Sequence, residues 1–229
     1  MRSIDVVNDA VTNGPERGLA LGYARGDAVA SLAALFRLDD ALAAILRTTS
    51  EPVVGQMRLT WWHDALTRLD TQPPPAEPVL QALAAEVLPR GVTGARLAAL
   101  VEGWEALLEA DDVTEAVMRA HGEGRGAALF RIAGTLVTSD DPVAAAGRGW
   151  ALADLARHLS DAKVAAVARA LAADALREAT AVRWSRDGRA LGALAHVARM
   201  NLSLAPGAAI PVGAPGRVAR LMWHRMTGR

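Results

Sequence analysis

Hydrophobic residues recur along most of the chain at spacings of three and four, which is the period of an α-helix. Residues 34–47 give the clearest example, because Leu35, Leu38, Leu42 and Ile45 fall on one face there. Polar stretches rich in capping residues, proline or glycine separate such segments. The pattern predicts helices over residues 3–12, 15–23, 28–48, 51–70, 77–88, 93–112, 114–137, 143–159, 162–180, 189–204 and 218–226.

Several breaks carry specific end signals. Ser50 is predicted to cap the helix that begins at Glu51, with Pro52 in its first turn, where a missing N–H costs nothing. Asp27 is predicted to cap the long helix 28–48. Residues 72–75 contain three prolines and cannot continue a helix, but they are too few to mark a domain boundary. A single domain over residues 1–229 is therefore expected.

Composition favours the same fold class. The chain is 52% hydrophobic and only 4% aromatic. Its apolar residues are mostly Ala, Leu and Val, and Ala and Leu lead the helix scale. No segment has the pattern of a strand. The sequence predicts an all-α protein with one helical core.

Charge and cysteine content exclude some functions. Lys+Arg and Asp+Glu number 25 each, so no global field draws the chain to nucleic acid. No cysteine is present, which excludes disulfides and thiolate sites. The N-terminus is charged where a signal peptide would be apolar, and no apolar run approaches the roughly 20 residues of a membrane span. We expect a cytoplasmic protein.

The first candidate for chemistry is the acidic pair Asp39 and Asp40. Paired carboxylates can hold Mg²⁺ and, through it, substrate phosphates. Such a pair needs an acidic partner one turn away, but positions 43 and 44 are alanine and position 47 is arginine. An isolated acidic pair is more often solvated surface, and that interpretation is favoured here.

The second candidate is a polar cluster on the helix 143–159. Asp154, Arg157, His158 and Asp161 follow one another at spacings of three and four. Salt bridges Asp154–His158 and Arg157–Asp161 are the favoured interpretation, and a polar cleft between helices is the alternative.

Two further motifs stand out. The run HGEGRG at residues 121–126 has neither the spacing nor the preceding strand of a phosphate loop. Its glycines are better explained by close helix packing or a kink. Trp61 and Trp62 cannot share one helix face, so one is predicted in the core and the other at a functional groove or interface.

Several segments resemble one known family, the squalene/phytoene synthase-like proteins. The resemblance is to an alphaproteobacterial branch that is similar to the mitochondrial complex I assembly factor 6 group. It covers residues 19–226, and its most specific block is SEPVVGQMRLTWWHDAL, preceded by ALFRLDDALAAI. The later similar segments are HGEGRGAALFRIAG, GRGWALADLARHL and PGRVARLMWHRM.

The resemblance implies an isoprenoid-synthase-like helical bundle around a central cavity. In the active enzymes two aspartate-rich helices bind Mg²⁺ and two prenyl diphosphates for head-to-head condensation. The first of these motifs, DDxxD, falls on Ala43, Ala44 and Arg47, so Asp39 and Asp40 lie one turn too early.

The second enzyme motif is also incomplete. Asp154 takes the place of an asparagine and Arg157 matches the arginine, but His158 and Ala162 replace the two aspartates. Asp161 remains only at an intervening position. Without these carboxylates the resemblance implies a pseudoenzyme with no metal and no cofactor.

The expected function is therefore binding or assembly, by resemblance in biogenesis of respiratory complex I. Expected partners are complex I subunits or a lipid or isoprenoid ligand, with at most peripheral association with the inner membrane. Arg58, Trp61, Trp62, Arg157 and His158 are the predicted ligand or partner surface. The alternative is a divergent prenyl transferase whose Mg²⁺ is held by Asp39, Asp40, Asp154 and Asp161.

Overall fold

The computed structural model describes residues 14–49 and 51–229, and every regular element within these ranges is helical. A short 3-10 turn, Leu88–Arg90, follows the fourth α-helix, and a π-helical turn, Gly122–Ala127, joins the seventh to the eighth. The α-helices are α1 (Pro15–Leu21), α2 (Gly26–Thr48), α3 (Pro52–Arg68), α4 (Pro78–Glu86), α5 (Gly94–Ala98), α6 (Glu102–Leu108), α7 (Glu115–His121), α8 (Ala128–Val137), α9 (Val143–His158), α10 (Ala162–Thr180), α11 (Arg189–Leu202) and α12 (Pro215–Thr227).

The all-α prediction is confirmed for the described residues, and most helix bounds agree with the hydrophobic pattern. The predicted helix 93–112 is wrong as one element, because the chain turns between α5 and α6. The Asp27 cap is also wrong, since α2 begins after Arg25 and Asp27 lies in its first turn. The predicted helix 3–12 and the Ser50 cap lie outside the described residues.

Helix α9 forms the centre of the bundle. It packs against α8, α10, α11 and the π-helical turn, and most of its residues are buried. Helix α2 lies on the other side of the core, against α4 and α8. A helix that is surrounded in this way must be apolar or small on most faces, which the Ala- and Gly-rich sequence of α9 provides.

An aromatic cluster fills the core where α2, α8 and α9 meet. The ring of Phe36 stands edge-on to those of Phe130 and Trp150, with centroids 6.0 and 5.8 Å away. Edge-to-face contacts of this kind add to the stabilisation from burial. The cluster fixes α2 and α9 relative to each other beside the site described below.

Among residues 14–49 and 51–229, none of the helices has both the length and the apolar composition needed to cross a membrane.

Candidate functional site

Helix α2 places an acidic side chain in the core, α9 places a partly buried one nearby, and the π-helical turn places a basic one between them. Arg125 donates from Nε and Nη2 to the two carboxylate oxygens of Asp39, each at 2.9 Å. Its Nη1 donates to Oδ2 of Asp154 at 2.6 Å. Arg125 and Asp39 are both 2% exposed. One buried guanidinium therefore binds the two carboxylates at once.

The glycines of the HGEGRG run allow this placement. The backbone at Gly126 lies directly against that of Gly147 on α9, and a Cβ on either residue would overlap the other's carbonyl oxygen. Gly124 lies in the same way against Gly103 on α6. The wider π-helical turn shifts the side-chain register, as such bulges do at functional sites. The glycine interpretation drawn from sequence, close helix packing, is confirmed.

Two tryptophans enclose the guanidinium of Arg125. Its Cζ lies 4.1 Å from the ring centroid of Trp104 and 4.6 Å from that of Trp150. Aromatic faces attract a desolvated cation, by about 2 kcal/mol in favourable cases. The arginine thus has carboxylates around its edge and aromatic rings near its faces, which compensates for its removal from water.

The pKa shifts follow from this environment. Burial would lower the pKa of Arg125, but Asp39 and Asp154 raise it above the ordinary value, so the guanidinium stays charged. Burial would likewise raise the pKa of Asp154, but Arg125 and, to a smaller extent, His158 hold it below its usual range. Asp154 is therefore an anion committed to Arg125 at neutral pH.

His121 completes the cluster as a neutral group. Burial, with the nearby charge of Arg125, lowers its pKa to about 3. Its Nδ1 lies 2.7 Å from the carbonyl oxygen of Gly103, so that nitrogen carries the hydrogen and donates it. Within the described part of the chain, Nε2 is buried without a hydrogen-bond partner.

The other two acidic candidates lie elsewhere. Asp40 pairs with Arg17 of α1 through contacts of 2.9 and 2.5 Å. Burial raises the pKa of Asp40, and Arg17 offsets part of that rise. Asp161 is exposed and caps α10, accepting from the backbone N–H groups of Lys163 and Val164. Of the four candidates, the structure brings only Asp39 and Asp154 together.

No group of three or more His, Cys, Asp or Glu side chains is arranged to hold a metal ion within residues 14–49 and 51–229.

Positions matched to the two enzyme motifs line one small cavity. Ala43 and Arg47 face it from α2, and Asp154 and His158 face it from α9. Its volume is about 60 Å³. The other lining residues are Leu46, Trp104, Leu107, His121, Arg125 and Leu155.

A second cavity, of about 70 Å³, lies on the far side of Asp154 and is also lined by Arg157, Arg17 and Trp150. Asp154, Arg157 and His158 of α9 thus line these two cavities. The Asp154–His158 contact predicted from spacing is present, with Nδ1 of His158 3.8 Å from Oδ1 of Asp154. The same Nδ1 is also 2.8 Å from the backbone oxygen of Asp154.

The predicted surface on α3 is divided between core and solvent. Trp62 is 9% exposed, whereas Trp61 is 48% exposed, with its ring centroid 5.3 Å from that of Trp62. Met57 and Val53 extend the exposed stripe at intervals of four residues, with 67% and 69% exposure. Arg58 lies beside the stripe and donates to the hydroxyls of two threonines at the end of α2. The division of the two tryptophans between core and surface is confirmed.

Sequence reasoning missed Arg125, Trp104 and Trp150 as parts of the site. Arg125 lies 86 residues from Asp39 and 29 from Asp154, beyond any helical spacing. The sequence holds at most a weak signal, because a carboxylate needs a cationic partner only if it is buried, and the sequence alone did not indicate that Asp39 is. The cationic partner is Arg125 of the run HGEGRG, whose glycines indicated only close helix packing or a kink.

Comparison with protein-family models, with curated proteins and with solved structures gives no match to this chain.

Proposed function

We propose that this protein is a non-catalytic member of the squalene/phytoene synthase-like group, with an isoprenoid-synthase-type bundle, and that it acts in binding or assembly. By resemblance, the process is the biogenesis of respiratory complex I, in the cytoplasm or at the periphery of the inner membrane. The observation that carries the proposal is that Arg125 occupies the space between Asp39 and Asp154.

Prenyl transfer of this type depends on carboxylates that are free to bind Mg²⁺ at about 2.1 Å and to neutralise diphosphate. In this protein both oxygens of Asp39 and one of Asp154 already accept from Arg125. Two carboxylates and one guanidinium leave a net charge of only −1. A metal ion would have to displace the buried guanidinium of Arg125 from between two tryptophans. The net charge of −1 is too small to offset the free-energy cost of that displacement.

The cavities beside the cluster favour a protein partner over an enclosed prenyl chain. They measure about 60 and 70 Å³. Pockets for small organic ligands typically measure about 300–1,000 Å³. The retained space fits water or a small group.

The exposed stripe of α3 is the surface we propose for that protein partner. Val53, Met57 and Trp61 present contiguous apolar area to solvent, with Arg58 at the edge. Exposed apolar patches mark interaction sites, and Trp and Arg are the residues that most often dominate binding energy. Acidic Asp64 and basic Arg68 lie farther along the same helix, so its charge is mixed, as in a polar interface rim.

Turnover by the purified protein tests the proposal. Incubation with farnesyl or geranylgeranyl diphosphate and Mg²⁺ should release no pyrophosphate above the uncatalysed rate. Release that disappears in Asp39→Ala and persists in Asp174→Ala, an exposed control, would overturn the proposal and favour the divergent prenyl transferase.

A deletion strain tests the assembly role separately. It should lose complex I activity while keeping its isoprenoid content. The wild-type gene should restore that activity, and Met57→Glu/Trp61→Glu should not. Both side chains are exposed, so thermal melting of the purified variant should match that of the wild type. Normal complex I activity in the deletion strain would contradict the assembly role. It would not bear on the predicted absence of catalysis, which the turnover assay tests.

A further inference from the structure

Helix α12 carries large apolar side chains on its outer face as well as on the face that packs in the core. Leu221 and His224 are buried where the helix packs on α11. On the opposite side Met222, Trp223 and Met226 are 55%, 55% and 71% exposed. Their spacing of one, three and four residues places them on one helical face. Large apolar side chains that a fold leaves exposed next to one another mark an interaction site.

The same end of the chain concentrates positive charge. Residues 181–229 contain eight arginines and one aspartate, whereas residues 1–180 contain 17 basic and 24 acidic residues. A neutral molecule therefore has one strongly basic part.

The fold brings several of these arginines to α12. Arg183 donates from Nε to the backbone oxygen of Thr227 at 2.8 Å, and Arg189 donates to the backbone oxygen of Arg225. Arg183, Arg225 and Arg229 are exposed. Positive charge therefore surrounds the C-terminal half of the helix, beside the exposed tryptophan and methionines.

We propose that the outer face of α12, defined by Met222, Trp223 and Met226, docks on an anionic lipid bilayer. Trp and Met enter the boundary between headgroups and acyl chains, while arginines bind the lipid phosphates. Each basic residue near such a surface strengthens binding about fivefold. The charge complementarity decides the occupant, because a strongly basic rim suits a continuous anionic plane, whereas the mixed rim of α3 suits a protein.

This inference deepens the peripheral membrane association of the proposed function, because it names the surface and the lipid chemistry, and it holds whether or not Asp39 and Asp154 bind metal. Flotation with vesicles tests it. The full chain should bind vesicles of phosphatidylcholine mixed with phosphatidylglycerol at least tenfold more tightly than vesicles of phosphatidylcholine alone. High salt should weaken the binding, because the charge contribution is screened.

Two variants of α12 locate the surface. Trp223→Ser/Met226→Ser removes the apolar anchor and should weaken vesicle binding at least tenfold. Arg225→Gln/Arg229→Gln should weaken it roughly 25-fold, at about fivefold for each arginine. All four side chains are exposed, so thermal melting should confirm that both variants fold.

Matched variants elsewhere serve as controls. Leu19→Ser/Val167→Ser removes two exposed apolar side chains from α1 and α10, and Arg119→Gln/Arg177→Gln removes two exposed arginines. Both should bind vesicles as the wild type does.

Three results would overturn the proposal: no preference for anionic vesicles, equal loss in Leu19→Ser/Val167→Ser, or Trp223→Ser/Met226→Ser binding vesicles as tightly as the wild type. The last result would mean that the arginines alone cause the binding and that the protein would bind any polyanion in the same way. None of these results bears on the turnover assay, so the two proposals can fail separately.

Discussion

At the scale of single residues, the decisive feature is a buried arginine, Arg125, that is paired with two carboxylates. Asp39 and Asp154 are carboxylates at the centre of a helical bundle, where metal sites are commonly built. Arg125 converts them into a structural ion cluster. Such a cluster costs much desolvation, so its members depend on one another more strongly than surface ion pairs do.

Arg125→Met should therefore destabilise the protein strongly. It leaves the buried carboxylate of Asp39 and the partly buried one of Asp154 without a counter-charge. Removal of one partner from a buried ion pair typically costs about 3–5 kcal/mol. Urea unfolding measures the change in free energy of unfolding.

The control for this change is Arg119→Gln, which removes an exposed arginine paired with Glu115 and should cost about 0.5 kcal/mol or less. The triple variant Arg125→Met/Asp39→Asn/Asp154→Asn should recover much of the lost stability, because no buried charge remains unpaired. Equal stability of Arg125→Met and the wild type would contradict the structural role of the cluster.

The two carboxylates of this site could be predicted as candidates from the sequence, but their arginine partner could not. Asp39 was a candidate as part of an acidic pair, and Asp154 through the spacing of polar residues on the helix 143–159. The favoured interpretation of Asp39 and Asp40 as solvated surface is wrong, because Asp39 is 2% exposed and Asp40 is paired with Arg17. The common partner of Asp39 and Asp154 could not be predicted, since local spacing says nothing about which side chains meet across 86 residues.

At the scale of helices, small residues determine how closely the backbones of neighbouring helices approach. α9 can lie in the centre because glycine and alanine let the neighbouring backbones approach. Hydrophobic periodicity predicted where helices run, but not where a helix turns without a proline or glycine signal, as between α5 and α6. Tertiary packing decides that break: Leu100 and Val101, at the turn, are 2% and 0% exposed.

Gly126→Ala should be markedly destabilising, by about 1–3 kcal/mol, because the added methyl overlaps the backbone of Gly147. Gly18→Ala is the matched control. Gly18 lies within α1 with open space around its Cα, so alanine there should be neutral or stabilise by about 0.5–1 kcal/mol. Thermal melting of the two variants provides the comparison, and similar melting temperatures would mean that α9 and the π-helical turn are less tightly packed than described.

At the scale of the whole molecule, buried histidines connect stability to pH. Burial lowers the folded-state pKa of His121 and His196 to about 3 and that of His224 to about 4. In the unfolded chain each has a pKa of about 6.5. Between these values the unfolded chain binds more protons, so acid favours unfolding.

The free energy of unfolding should therefore be constant above about pH 6.5 and fall as pH decreases toward 4, by up to about 1.4 kcal/mol per pH unit for each histidine. Urea unfolding at a series of pH values measures the slope. His121→Gln should reduce it, and His63→Gln, at an exposed position on α3, should leave it unchanged. A stability that rises on acidification from pH 6.5 to 4 would contradict the neutral, buried state of these rings.

The proposed loss of catalysis depends on Arg125, which lies where a metal ion would have to bind between Asp39 and Asp154. Anomalous diffraction from crystals soaked with Mn²⁺ and a non-hydrolysable farnesyl diphosphate analogue tests it directly. We predict no anomalous peak between Asp39 and Asp154, with the guanidinium still bound to both. A manganese peak coordinated by those two carboxylates, with Arg125 displaced, would contradict the account.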